Sequence, residues 1–182
     1  MTDASGRYRA NAAGFNERVE AVPEDRWENQ SPCEEWTARD VVRHVVDTSG
    51  MFLGFIDQKL PPAPSVDDDP VGAWHSARDA IQGALDDPKV AQKEYDGMFG
   101  KTTLERSVNN ILASDALVHT WDLARATGLD DKLPEQASQE VLEALTPMDD
   151  KMRGPGAFGP KLEPPPNADV QTRLLCFLGR RS

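Results

Sequence analysis

Cysteine is scarce in this sequence: Cys33 and Cys176 are all it has. Two such thiols make neither a CxxC metal pair nor the framework of a disulfide-stapled domain. The opening MTDASGRYRA lacks the apolar segment of a secretory signal, so both thiols are expected reduced, in a soluble cytoplasmic protein. Long apolar runs are lacking too. The strongest, around Met51 to Ile56, is far short of the ~20 residues that span a bilayer. Positive charge is in deficit: 20 Lys and Arg stand against 31 Asp and Glu, for a net charge of -11. That field repels phosphate backbones and anionic lipid, so neither nucleic acid nor a membrane is an expected partner. Strand signal is weak, and no internal repeat is present.

What remains suits one globular domain over residues 1–182. Hydrophobic residues make up 38% of the chain, enough for a real core at this length. Helical periodicity runs from Tyr8 to Val22, with Phe15, Val19 and Val22 on one face. Thr37 with Asp40 three residues on is a capping-box variant that opens a second helix, lined by Val41, Val45, Phe52 and Phe55 and widened by Val42, Val46, Leu53 and Ile56. Pro61, Pro62 and Pro64 end it. Pro70 suits the first turn of a third helix with Trp74, Ala77, Ile81 and Leu85 as its stripe. Between Val90 and Lys101 there is room for one short hairpin, turned by Gly97 and Gly100 around Met98 and Phe99. A second capping box, Thr102 with Glu105, predicts a fourth helix that Gly128 stops. Shorter helices follow, from Pro134 to before Pro147 and from Val170 to Leu178. From about 147 the chain is expected to be partly irregular, most clearly over Arg153 to Pro166. Four main helices joined by short connections predict an all-α protein, an antiparallel four-helix bundle with short extra helices.

The fourth helix carries the chemistry. At roughly 100° per residue, with Ile111 at zero, Leu104, Val108, Leu112 and Ala126 form an apolar stripe. Asp115 falls near 40°, His119 near 80° and Asp122 near 20°, inside that stripe. An unpaired buried carboxylate costs several kcal/mol, so something must satisfy it. One answer is a metal ion, which turns carboxylate and imidazole into ligands. Asp115 and His119, one turn apart, suit two ligands on one ion, and His44 on the second helix supplies a third. Two His and one carboxylate leave positions open for water or substrate, as in catalytic zinc sites, and also suit iron, nickel or manganese. The other answer is a buried Asp–His hydrogen-bond network with no metal. Asp122 is placed to orient a ligand histidine, with Arg125 either paired to it or facing an anionic substrate. His75 lies off its helix's stripe and reads as a surface residue. Cys33 precedes a helix N-terminus, where thiol pKa values can fall, but Glu34 and Glu35 oppose a reactive thiolate. Trp36 and Trp121 read as packing residues.

Three strings carry a resemblance. They are Ser31 to His44 (SPCEEWTARDVVRH), Asp115 to Gly128 (DALVHTWDLARATG) and Leu174 to Arg180 (LLCFLGR). Together they resemble the DinB-like metal-binding proteins related to the N-terminal domain of mycothiol-dependent maleylpyruvate isomerase, over nearly the whole chain. The resemblance implies a DinB-type four-helix bundle. It also implies a metal, usually zinc or nickel, held by one His of the second helix and a carboxylate-x-x-x-His pair of a later one. Those positions are His44, Asp115 and His119. The isomerase has Glu where this chain has Asp115, and it carries a second folded domain after its bundle.

Three functions follow from such a site. In the first, a metal-bound low-molecular-weight thiol, mycothiol by the resemblance, attacks a small electrophile in a transferase or isomerase reaction. The second is metal-assisted hydrolysis through a bound water, with Asp122 the carboxylate available to act on it. The third is a non-catalytic metal-binding or interaction protein, for which a homodimer is a natural form.

Overall fold

The computed structural model describes residues 4–97, 100–153 and 158–181. Packing divides the chain into two compact units, Met1–Asp130 and Asp131–Ser182. In the first, α1 spans Ala4–Ala21, α2 Ala38–Gly54, α3 Pro70–Asp86 and the single turn α4 Pro88–Ala91. A hairpin of β1 (Glu94–Gly97) and β2 (Gly100–Thr103) follows; its tip, Met98 and Phe99, lies outside the described residues. The last long helix is built of α5 (Leu104–Ser107), a π turn (Val108–Leu112) and α6 (Ala113–Thr127). Gly128, at φ 76°, ends it in the left-handed conformation that favours glycine.

Four long helices form the bundle: α1 packs on α3 and α6, and α2 packs on the same two. Their directions differ from the alternation that short connections predict. Asn11 Nδ2 donates to Ala113 O at 2.8 Å and Arg18 Nε to Asp130 O at 3.2 Å, so α1 runs parallel to α6. Arg9 meets Asp86 and Arg78 meets Asn16, so α3 runs against α1. The end of the α2–α3 loop returns to the start of α2, where Arg39 and Arg43 bind Val66 O and the Asp67 carboxylate. α2 and α3 are therefore parallel to each other, and both oppose α1 and α6. Residues 55–69 make this possible, because a connection that long can travel back along the bundle.

The core stripes match their helical spacing in most places. Phe15 and Val19 of α1, Trp74, Ala77 and Ile81 of α3, and Val41, Val45 and Phe52 of α2 are buried. Phe55 is the exception, 44% exposed, because α2 ends at Gly54 and the chain turns inward through Ile56 instead. The fourth helix also departs from the ideal wheel. Its π turn holds one extra residue, which slips the phase by about 100° and leaves Ile111 half-buried. Its cap is Thr103, whose hydroxyl accepts from Arg106 N, while Thr102 stays in β2; the expected Thr102–Glu105 box does not form.

At α2 the expected box is complete: Asp40 N donates to Thr37 Oγ1 at 3.2 Å, and Thr37 N to Asp40 Oδ2 at 2.9 Å. The Thr37 backbone N–H and the Thr37 hydroxyl, both donating to the carboxylate, hold the Asp40 carboxyl below its ordinary pKa. Thr37→Ala should cost about 1 kcal/mol, read as a lower denaturant midpoint with unchanged slope. The linked contribution of Asp40 is present above the ordinary carboxylate pKa and is lost as pH falls through its lowered value.

In the second unit, α7 (Glu135–Leu145) packs against α8 (Val170–Phe177), with a 3-10 segment Thr146–Lys151 between. The boundary between the two units falls after Asp130. Arg153 organises the irregular stretch: it donates to Phe177 O at 2.6 Å and lies over the Phe158 and Phe177 rings. Residues 154–157 of the expected irregular stretch lie outside the described residues. No described helix is long and apolar enough to cross a membrane.

Candidate metal centre

The residues singled out by helical spacing converge. His44 Nε2 lies 3.4 and 3.3 Å from the two oxygens of Asp115, and His119 Nε2 lies 3.2 Å from Asp115 Oδ1. One donor atom from each of the three falls within 4.8 Å of the others. Antiparallel packing of α2 on α6 brings His44 down onto the Asp115–His119 turn. The π turn ends just ahead of that pair and sets its azimuth; such turns recur at functional sites.

Exposure is graded across the group: side chains of His44, Asp115 and His119 are 34%, 20% and 6% accessible, and Asp122 is 0%. The centre therefore opens toward α2 and closes toward α6. Burial works to raise the Asp115 pKa, but the adjacent His119 charge and the hydrogen bonds of His119 and His44 hold it well below the carboxylate range. For His119, burial works to lower the pKa, yet Asp115, then Asp122 and Cys33, raise it well above the ordinary imidazole value.

Asp122 sits on the other edge of the His119 ring, its Oδ2 2.9 Å from Nδ1. A carboxylate there favours the tautomer with the proton on Nδ1, which leaves Nε2 free to ligate once its own proton is gone. Arg125 is exposed, with its guanidinium 5.7 Å from the Trp121 ring centroid. His75 is half-buried and lies 3.0 Å from the Glu20 carboxylate.

Two neighbours escape helical-wheel reasoning. Cys33 is a half-buried thiol, not in a disulfide, whose Sγ donates to Asp122 Oδ2 at 3.5 Å. It forms, with His119 and Asp122, a second group of clustered donor atoms. Trp36 packs tilted against the His44 ring at 4.9 Å and stacks on the His119 ring at 6.0 Å, so it walls the site rather than only filling the core. Both belong to the 31–36 loop, which is closed by Ser31 N to Trp36 O and anchored nearby by Asn29 Nδ2 donating to Ala126 O. The sequence signals for them are their place just before the Thr37 cap of the helix that carries His44 and their membership of the Ser31 to His44 string.

The group fits a metal on two counts. For metal–ligand bonds of about 2.0–2.1 Å, a tetrahedral edge is about 3.3 Å, and the measured imidazole–carboxylate separations are 3.2 to 3.4 Å. Asp115 Oδ2 is also buried without a well-formed hydrogen bond, a lone pair that a cation would satisfy.

Two uncharacterized proteins of Mycobacterium tuberculosis, Rv0738 of strain H37Rv and MT0763 of strain CDC 1551, are each 28% identical to this chain over 161 residues, covering 87% of it and 87% of themselves. No solved structure matches. The profile of one family matches residues 8–124, a stretch that holds all four bundle helices except the first turn of α1 and the last turn of α6, together with His44, Asp115 and His119. The chain belongs to the family described as the mycothiol maleylpyruvate isomerase N-terminal domain.

Proposed function

We propose that His44, Asp115 and His119 hold one divalent transition metal, zinc or nickel, and that the protein is a thiol-dependent transferase or isomerase acting on a small electrophile. The observation that carries this is the spacing of the three donor groups around the unsatisfied Asp115 Oδ2. The family's link to mycothiol supplies the class of thiol.

A bound divalent ion would favour the deprotonated form of a coordinating thiol, which is a nucleophile at neutral pH. The chain's own residues set the conditions. Asp122 orients His119 through Nδ1 and keeps that ring from turning. Trp36 packs against both imidazoles and shields them from water on one side. His44, the most exposed of the three, borders the side from which thiol and electrophile would arrive. Hydrolysis is less well served, because Asp122 lies at the Nδ1 edge of His119, away from the Nε2 atoms where a water would be activated.

Cobalt substitution tests the reading. The cobalt-loaded protein should change its visible absorption on titration with a low-molecular-weight thiol and not with the corresponding alcohol. Cobalt loading with no spectral response to any thiol would refute thiol-dependent chemistry and leave a metal-binding protein.

A further inference from the structure

We propose that the face of α2 running from His44 to Phe55 seats the apolar tail of the ligand whose reacting end reaches the metal. This rests on the metal reading above and adds a substrate class to it: small molecules with a polar, metal-directed head and an alkyl or aryl extension.

The argument begins with azimuth. Taking His44 as zero at roughly 100° per residue, Thr48 falls near 40°, Met51 near -20° and Phe55 near 20°. These side chains form one line, about 16 Å from end to end at 1.5 Å per residue. Met51 and Phe55 are 50% and 44% accessible, and they are the exposed large hydrophobics among the described residues. Both therefore stand on the face of α2 that carries the most accessible ligand of the centre. The line does not stop at the helix end. Phe55 stacks on Tyr95 of β1, ring centroids 5.1 Å apart at 21°, and Tyr95 is held by its hydroxyl donating to Ser107 Oγ at 2.6 Å. At the other end Trp36 packs on His44. Aromatic surface thus bounds the line at both ends.

Charge agrees. Between His44 and Phe55 no ionisable side chain of α2 lies on the line; the nearest, Asp47, is about 60° from His44 and about 40° from Met51. The nearest charges beyond Phe55, Asp57 and Lys93, are paired with each other, and an apolar tail on the line loses water. A second copy of the chain is the competing occupant. Two exposed side chains are far short of the roughly 800 Å² that each partner buries in a stable dimer, which favours a small ligand.

Straight-chain alkyl hydroxamates, from acetyl to octanoyl, are suitable probes because the head binds divalent metals and the tail varies alone. Their affinities for the cobalt-loaded protein are read from its visible spectrum, beside Met51→Ser and Phe55→Ser, whose cobalt content is measured independently. Complete burial would raise affinity about fourfold per methylene; a tail lying on an open face should gain about half that factor. The slope is expected in the wild type and should flatten in both serine variants while they still load cobalt. Loaded wild type with no slope, or an equal slope in the variants, overturns the proposal and leaves the metal reading standing. So does a wild-type dimer, seen by sedimentation, that either substitution dissociates. Failure to take up cobalt removes the metal reading and this proposal together.

Discussion

Elemental analysis of the protein, purified without a polyhistidine tag, is expected to find about one equivalent of zinc or nickel, and His44→Ala and His119→Gln are each expected to abolish it. The size of the effect follows from the ligand count. With three protein ligands, losing one leaves two, and Asp115 alone then bridges the remaining imidazole. Asp115→Asn keeps the shape but removes the charge that offsets the cation, and should lose metal as fully. Asp122→Asn is expected to weaken affinity by about 10–100-fold without abolishing it, because the amide can still contact Nδ1 but no longer as an anion. Metal bound only by the folded state also stabilises it, by about 4 kcal/mol when free metal exceeds Kd a thousandfold. Excess metal should therefore raise the Tm of the wild type and leave that of His44→Ala where it was. A wild type that takes up no metal would make the three residues a buried polar network, and the enzymatic reading would fall.

The second large effect concerns the bundle itself. Trp74 of α3 is fully buried and meets Phe15 of α1 edge to face, ring centroids 4.9 Å apart at 89°. Trp74→Ala should cost about 3–5 kcal/mol, the loss of a large buried ring plus the cavity it leaves. Against a total stability of about 5–15 kcal/mol, that is enough to unfold much of the population on mild heating. Trp74→Phe provides a control with a sharper content. The indole Nε1 is buried and has no hydrogen-bond partner, so replacing it with a hydrocarbon ring removes an unsatisfied donor as well as volume. Its cost should be well under that of the alanine variant, measured by chemical denaturation. Equal losses in the two variants would mean that the indole nitrogen is satisfied, by an ordered water for example.

Helix periodicity is enough to put Asp115 and His119 on one face. Asp115 and His119 are one turn apart, so their shared face follows from local geometry and needs no knowledge of the neighbours. The same holds for the Thr37–Asp40 box, the Gly128 stop and the Trp74–Ala77–Ile81 stripe, each set by contacts within a few residues. His44 was nominated by its helix and its chemistry, and packing of α2 on α6 supplied the meeting. Other features depend on residues far apart in the chain. The parallel pairing of α2 with α3 arises from where Asp67 finds Arg43, a contact between a loop and the far end of the preceding helix. The π turn adds a residue that an ideal 3.6-residue wheel does not contain, which is why Ile111 is only half-buried at the edge of the core. Phe55 belongs by spacing to the buried stripe and is exposed because its helix ends one residue too soon. Cys33 and Trp36 reach the site through a folded loop with no periodic signature. Local periodicity can therefore name the side chains that share a face, since each helical turn repeats the same geometry. Which faces meet, in which direction, and where one opens to solvent are properties of the packed bundle, because they depend on loop paths and helix ends that the chain adopts only as a whole.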